Sequence, residues 1–372
     1  MSEFQLTQDQ ALLQETIREF ARLEISPAAS KIDWEATLSS EISAKLPSLG
    51  LYGILVPAEF GGAGADFLSL LLVTEELSKV SGSVGARISL HNAVVCDTLL
   101  FSTNNHLKTA LLPKLASGNV GAFIVDPRSA VPCRKEKEEI ILDGASEFVI
   151  NADVASIFLV LGKMQDGKST LVCFSREDLV DSSGVKISEP KKLLGMRAAG
   201  TARIEFHSVR LPLNSTVFEP EVLPAGLRRL HTNSRLAVAA QALGIAQAAL
   251  DSEVQYANER AQFNTKIGNF YAVQDFIAQD QIAIQTARLL TYKIASEMRN
   301  LRTLDRDGAV AKVSSSNAAV QTARHAIRIH GGYGFIRDYL VERYLRDARV
   351  TQSYLESNES LKAKIAESLL GQ

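Results

Sequence analysis

No proline follows Pro224. The ten prolines all lie between Pro27 and Pro224, which leaves the 148 residues Ala225–Gln372 without one. Proline breaks helix interiors, so this absence removes the usual obstacle to long helices. Cysteine is also scarce. Cys96, Cys133 and Cys173 are odd in number and form no CxxC pair, which argues against a disulfide framework and against a zinc site. The six histidines are scattered with no HExxH, and no metal is expected. A formal net charge of -2 leaves no basic excess for nucleic acid or an anionic membrane. No apolar run reaches the roughly 18 residues needed to span a bilayer. The N-terminal MSEFQLTQDQ has no charged-then-apolar signal pattern, so the expected address is the cytoplasm.

What is present divides the chain. At 372 residues it exceeds one hydrophobic core, and two or three domains are expected. The proline-free stretch is rich in Ala, Leu, Gln, Arg and Glu. It predicts helices over about 227–261, 271–300, 307–330 and 358–369. The first carries a helical stripe, Leu236, Ala239, Ala240, Leu243, Ala246 and Leu250, with Gln247 read as its one polar interruption. A 30-residue helix is about 45 Å long, and several side by side form a bundle.

Near the N-terminus Thr7 is placed to cap a helix bearing Leu12, Leu13, Ile17, Phe20 and Ala21. Ser69–Val80 and Leu107–Ala116 are further candidates. The middle, from about Gly121 to Pro212, reads as strands: IILDG, SEFVIN, SIFLVLG, STLVCFS, GVKIS and ARIEFHSVRLP alternate or run apolar between Gly, Asp and Ser turns. The expected fold is mainly α with a central β-barrel domain. Its divisions are an N-terminal helical domain over 1–119, a β-domain over 120–219 and a C-terminal helical bundle over 220–372.

Five local motifs follow one another along this layout: PAEFGGAG (57–64), GMRAAGTARIEFHSVRLP (195–212), RAQFNTKIGNFYAVQ (260–274), GGYG (331–334) and RDA (346–348). Together with the helix–barrel–bundle order, they make the chain resemble the acyl-CoA dehydrogenases, flavoproteins that oxidise acyl thioesters. The resemblance spans nearly the whole sequence. It implies one FAD per subunit, a homotetramer or dimer, an acyl-CoA or carrier-protein-bound acyl substrate, and an electron acceptor such as an electron-transfer flavoprotein or oxygen. On it, Arg260 meets the FAD diphosphate across a subunit interface, where its fork offers parallel donors to phosphate oxygens, and Phe263 packs beside it. Gly331 and Gly332 let backbone amides approach phosphate. Gln274, Phe148, Asn151, Ser357 and Glu359 join the cofactor contacts, with Arg235 and Tyr354 on the substrate side.

The sequence departs from the family at the reacting centre. Members carry a catalytic carboxylate directly after a tyrosine, in Y-E-G-T-S-E; here Tyr354–Glu359 reads YLESNE. Leu355 stands in the base position and Glu356 in that of the glycine. The alternative base, just before an arginine of the long helix, is Ser234 here. Glu356 is therefore the one candidate base, next to the usual place, and the Leu355 N–H remains able to donate to a thioester carbonyl. Of T-E-P-x-A-G-S-D only Asp126–Pro127 remains, and K-x-W-I-T-N reads SEFVIN, so Phe148 replaces a tryptophan and Ile150 a threonine expected to meet flavin N5. Tyr271 and Arg328 replace two glutamines. Losing one general base costs about two to four orders of magnitude in rate. Three readings stand: α,β-dehydrogenation of an acyl thioester or its reverse, a different flavin reaction on this scaffold, and a partner subunit with a degraded site.

Overall fold

The computed structural model describes residues 5–297 and 301–371. Its helices start where the local chemistry permits. α1 (Gln8–Phe20) opens on a full capping box, the Thr7 hydroxyl accepting from the Gln10 N–H while the Gln10 side chain accepts from the Thr7 N–H. It is followed by α2 (Ala29–Glu35), α3 (Ser40–Ser48), α4 (Phe67–Val80), α5 (Gly82–Leu90), α6 (Asp97–Phe101) and α7 (Asn105–Ala116). α4 begins two residues ahead of the predicted Ser69 because Asp66, not a residue inside the apolar run, caps it.

The proline-free stretch forms α8 (Leu223–Glu259), α9 (Tyr271–Ser296), α10 (Leu301–His330), α11 (Val341–Ser353) and α12 (Asn358–Leu370). Residues 298–300, the end of the helix predicted over 271–300, lie outside the described residues. Every residue of α8 from Thr232 to Ala246 is buried. A helix buried all round sits at the centre of its bundle, and α8 packs against α10, α4, α9 and α11. The buried polar residue in its stripe is Gln241, fully enclosed; Gln247 is partly exposed.

Between these helical parts lies one sheet built from β1 (Val120–Ile124), β2 (Val131–Glu136), β3 (Glu139–Val149), β4 (Ala155–Met164), β5 (Ser169–Ser175), β6 (Val185–Ile187) and β7 (Ala202–Pro212). β5 pairs with one edge of β4. β1 and β2 lie end to end, both parallel, along its other edge. β3, β7 and β6 continue the sheet antiparallel from β2. Alternation along β4 divides its side chains between two cores. Phe158 and Val160 turn into the core of the sheet itself, beside Phe174 and Phe206. Ile157, Leu159 and Leu161 turn into the large core shared with the helices. The sheet thus curls over its own interior and is seated on the helices, which accounts for strands that read as apolar runs. Among the described residues no helix is long and apolar enough to cross a membrane.

Candidate active site

The seat of the sheet on the helices is set by a joint between two motifs 151 residues apart in sequence. Gly195 lies so close to α11 that a Cβ there would stand 2.2 Å from the Arg346 carbonyl oxygen. Met196, at φ +47°, donates its N–H to Asp347 Oδ1 at 2.5 Å. Arg346 Nη1 donates to the Leu194 carbonyl at 3.0 Å. Burial pushes the Asp347 carboxyl up to about 6. The G-x-R loop and the RDA helix are therefore two halves of one contact.

A cavity of about 920 Å³ opens beside this joint, between the loop before β7, the ends of β1 and β3, and the C-terminal end of α11. Phe148 forms a wall. The residue is 69% exposed, with the Lys191 ammonium 5.0 Å from the ring centroid, so a flat partner has an aromatic face to stack on. Ile150, Met196 and Leu355 make the lining apolar near it, and Ser146 and Thr201 add hydroxyls. The lining also reaches Tyr354, whose buried hydroxyl donates to Gln241 Oε1, while Gln241 Nε2 donates to Ser89 Oγ at 2.7 Å. Burial holds the Tyr354 phenol protonated by raising its pKa. The sequence reading missed this Tyr354–Gln241–Ser89 chain; a glutamine in the alanine-rich centre of α8 was the available signal.

Residue 355 is a leucine that lines the cavity and packs against the hydrophobic core. Its neighbour Glu356 is turned away. Glu356 Oε2 accepts from Arg235 Nε at 2.7 Å, and Oε1 accepts from Arg235 Nη2 at 3.0 Å and Lys364 Nζ at 2.5 Å. Lys312 donates to the Glu356 carbonyl oxygen. Burial alone would raise this carboxyl, but the bonds and charge of Arg235, with Lys364 and His231, outweigh it and bring it down to about 2. A carboxylate so paired is a poor proton acceptor, and it is not part of the cavity lining. Glu356, expected from the sequence as a candidate base, thus faces Arg235 and Lys364 and not the cavity.

Arg235, expected on the substrate side, lies off the cavity lining. The arginine is 2% exposed, held by Glu356 and by Asp305, whose Oδ1 accepts from Nη1 at 2.5 Å. The Glu356 carboxylate is the partner that holds the guanidinium inward. Asn151 and Ser357 also lie off the lining. Asn151 is fully buried, its Nδ2 donating to the Arg87 carbonyl at 3.1 Å, and Ser357 caps α12. Three carboxylates do line the cavity. Glu147 is paired with Lys191 and Arg203, which hold its pKa down. Burial pushes Asp126 up, but its bonds to Arg128 prevail and leave it below its usual value. Glu359, at the first turn of α12, is exposed.

A second group sits apart, at the end of the bundle, and none of it lines the cavity. Arg260 ends α8 with its guanidinium 5.9 Å from the Tyr333 ring. The two-residue turn Phe263–Asn264 joins a hairpin of two short strands (261–262 and 265–266) with both φ positive, +52° and +61°. A bulky residue at positive φ is an outlier, and Phe263 is also 90% exposed. Gln274 Nε2 donates to the Gly268 carbonyl at 2.9 Å. Gly331, at φ +58°, and Gly332 have open space where a Cβ would project. Phe148 offers an aromatic face and the Gly331–Gly332 turn offers bare backbone, features that suit a cofactor with a flat ring and phosphates.

A helical domain, a curled sheet and a helical bundle with a ring-sized cavity at their joint define a flavoenzyme scaffold. Residues 7–119 match the family profile "Acyl-CoA dehydrogenase, N-terminal domain", and residues 227–370 match "Acyl-CoA dehydrogenase, C-terminal domain". An acyl-CoA dehydrogenase of Bacillus subtilis is 33% identical over 98% of this chain and 99% of its own. A 3-(aryl)acrylate reductase of Clostridium sporogenes is 33% identical over 98% and 99%. Butyryl-CoA dehydrogenase from Megasphaera elsdenii superposes with a TM-score of 0.92 at 27% identity, covering 99% and 100% of the two chains. The chain belongs to the acyl-CoA dehydrogenase family, whose members depend on FAD.

Proposed function

We propose that this protein is an FAD-dependent oxidoreductase acting between saturated and α,β-unsaturated acyl thioesters. The observation that carries this is the 920 Å³ cavity with an aromatic wall at Phe148 and the strand–helix joint of Asp347 beside it. FAD, when bound, supplies hydride acceptance and donation. The residues of the chain do the rest. Phe148 and the apolar Ile150 and Leu355 exclude water from the ring, and Tyr354, anchored on Gln241, closes the lining. The Leu355 N–H has no acceptor among the described residues. A backbone donor of this kind is suited to charge that develops on a thioester carbonyl oxygen.

Leu355 takes no proton, and Glu356 is engaged elsewhere. Removal of an unactivated α-proton is therefore slow by about two to four orders of magnitude relative to a site with its base. This favours substrates with an acidified α-carbon, or operation toward the saturated acyl group. The same observation supports a second reading, a partner subunit that keeps the scaffold and has lost turnover. The acyl carrier is CoA or an acyl-carrier protein, and the electron partner is an electron-transfer flavoprotein or oxygen. The split between the cavity group and the Arg260–Phe263 group supports an oligomer in which two copies complete each cofactor site.

The visible spectrum of protein purified without added cofactor tests the reading. Bound FAD that is bleached by an acyl-CoA, or in reduced form reoxidised by an enoyl-CoA, is the expected result. FAD that responds to no thioester overturns the acyl-thioester reading, and protein that stays colourless in excess FAD leaves the partner-subunit reading.

A further inference from the structure

The loop between α11 and α12 carries a strained turn directly on the cavity. The Glu356 N–H donates to the Tyr354 carbonyl at 2.9 Å. This closes a three-residue γ-turn whose central residue, Leu355, has φ +63°. A γ-turn with positive φ is rare and strained, the more so for leucine, whose Cβ crowds the following carbonyl there. Such strain persists only where the surroundings over-determine it. Here both flanks are fixed. On the N-terminal side the Tyr354 hydroxyl is tied to Gln241. On the C-terminal side Glu356 is held through its carboxylate by Arg235 and Lys364, and through its carbonyl by Lys312. Arg235 is itself fixed by Asp305, through the side chain and through the carbonyl oxygen at 2.7 Å. Side chains from α8, α10 and α12 thus converge on one residue of a four-residue loop.

We infer that Arg235 and Glu356 are positioning residues: their buried pair locks the γ-turn at Leu355 and so fixes the Leu355 backbone on the cavity in the geometry that binds the reacting thioester. The inference rests on the acyl-thioester reading for its substrate, and on the turn itself for its mechanism. It explains why a carboxylate sits beside the cavity yet faces inward. Glu356 acts through the backbone of its neighbour and transfers no proton. A one-ångström misplacement of a reacting group is enough to cost about a hundredfold in rate.

The test uses the full chain with FAD and removes both charges together. Arg235→Met/Glu356→Leu removes both charges of the pair and leaves Lys312 its bond to the carbonyl of residue 356; Glu356→Gln, which keeps one acceptor, is the milder second variant. Each is made with and without Leu355→Gly. Glycine adopts positive φ without strain. With the clamp intact, Leu355→Gly therefore lowers the unfolding equilibrium constant in urea a few-fold. Without the clamp the turn relaxes, and the same change gains nothing. Equal gains in both backgrounds overturn the lock.

The second arm follows flavin bleaching by butyryl-CoA. The clampless variant is expected to keep its FAD and its apparent affinity for butyryl-CoA while the limiting rate falls about a hundredfold. Glu356→Gln falls in between, and Leu355→Gly restores part of the loss. Unchanged limiting rates overturn the positioning role. A wild-type flavin that no thioester bleaches overturns the acyl-thioester reading instead, and the urea arm then decides the lock by itself.

Discussion

Arg235 and Glu356 lie side by side in a two-bond ion pair, Nε to Oε2 at 2.7 Å and Nη2 to Oε1 at 3.0 Å, with the arginine only 2% exposed. Breaking such a pair leaves an uncompensated buried charge, which costs about 3–5 kcal/mol, whereas replacing both partners by apolar residues is often neutral. Glu356→Ala is therefore expected to lose about 3–5 kcal/mol in urea unfolding, and Arg235→Met/Glu356→Leu to lose little. A double variant as unstable as the single would mean that the pair contributes through packing rather than charge.

The same carboxylate sets an acid limit. Its folded pKa of about 2 lies below the ordinary 4.5. A depressed pKa adds stability above the unfolded value and loses it as pH falls through the folded one. The drop from 4.5 to about 2 corresponds to about 3 kcal/mol. Wild-type stability should fall steeply between pH 4.5 and about 2, and in Arg235→Met/Glu356→Leu this part of the slope should vanish. Parallel pH curves for the two proteins would refute it.

Glu253 behaves in the opposite sense. It is fully buried between the bundle helices, beside Asp280. Burial, with the nearby charge of Asp280, raises it to about 9. The folded state then keeps a proton that the unfolded chain releases above 4.5, so stability declines as pH rises from 4.5 toward 9. Glu253→Gln cannot ionise and should lose this decline, becoming the more stable protein at the alkaline end. A thermal-unfolding series across pH settles the sign.

The fold was legible because its strongest signals are local. The absence of proline after Pro224 exposed the long helices, Thr7 marked a helix start, and alternation marked the sheet. The joint of Met196 with Asp347 was invisible, since nothing in either segment names its partner 151 residues away. Of the site, residue types were legible, not geometry. That residue 355 cannot be a base follows from leucine itself. That Glu356 faces Arg235 instead of the cavity depends on a backbone turn with φ +63° at Leu355, which propensity does not predict for leucine. The stripe on α8 likewise drew attention to Gln247, while the enclosed glutamine is Gln241, whose role depends on Tyr354 arriving from another helix.

Gly195→Ala tests the joint. Its Cβ would fall 2.2 Å from a backbone oxygen, and no flexible side chain is there to yield. The loop before β7 must then lift from α11, breaking the Met196–Asp347 bond. We expect a destabilised protein that loses FAD before it unfolds, seen as flavin release below the main thermal transition. Release coincident with global unfolding would show that the joint does not shape the cavity.

Phe263 and Arg260 separate two origins for the exposed group at the bundle end. Phe263 is 90% exposed on a hairpin turn, so truncating it removes no core contact, and Phe263→Ala should leave the stability of the isolated chain unchanged. If a second copy completes the cofactor site, Phe263→Ala and Arg260→Ala should both lower FAD occupancy, and added FAD should restore it by mass action. Light scattering then distinguishes the routes. Loss of FAD with the assembly intact assigns the pair to the cofactor, while loss of both together assigns them to the contact between copies. Full occupancy in both variants would mean that the cofactor is held within one chain by the cavity group, with Phe148 the residue to truncate next.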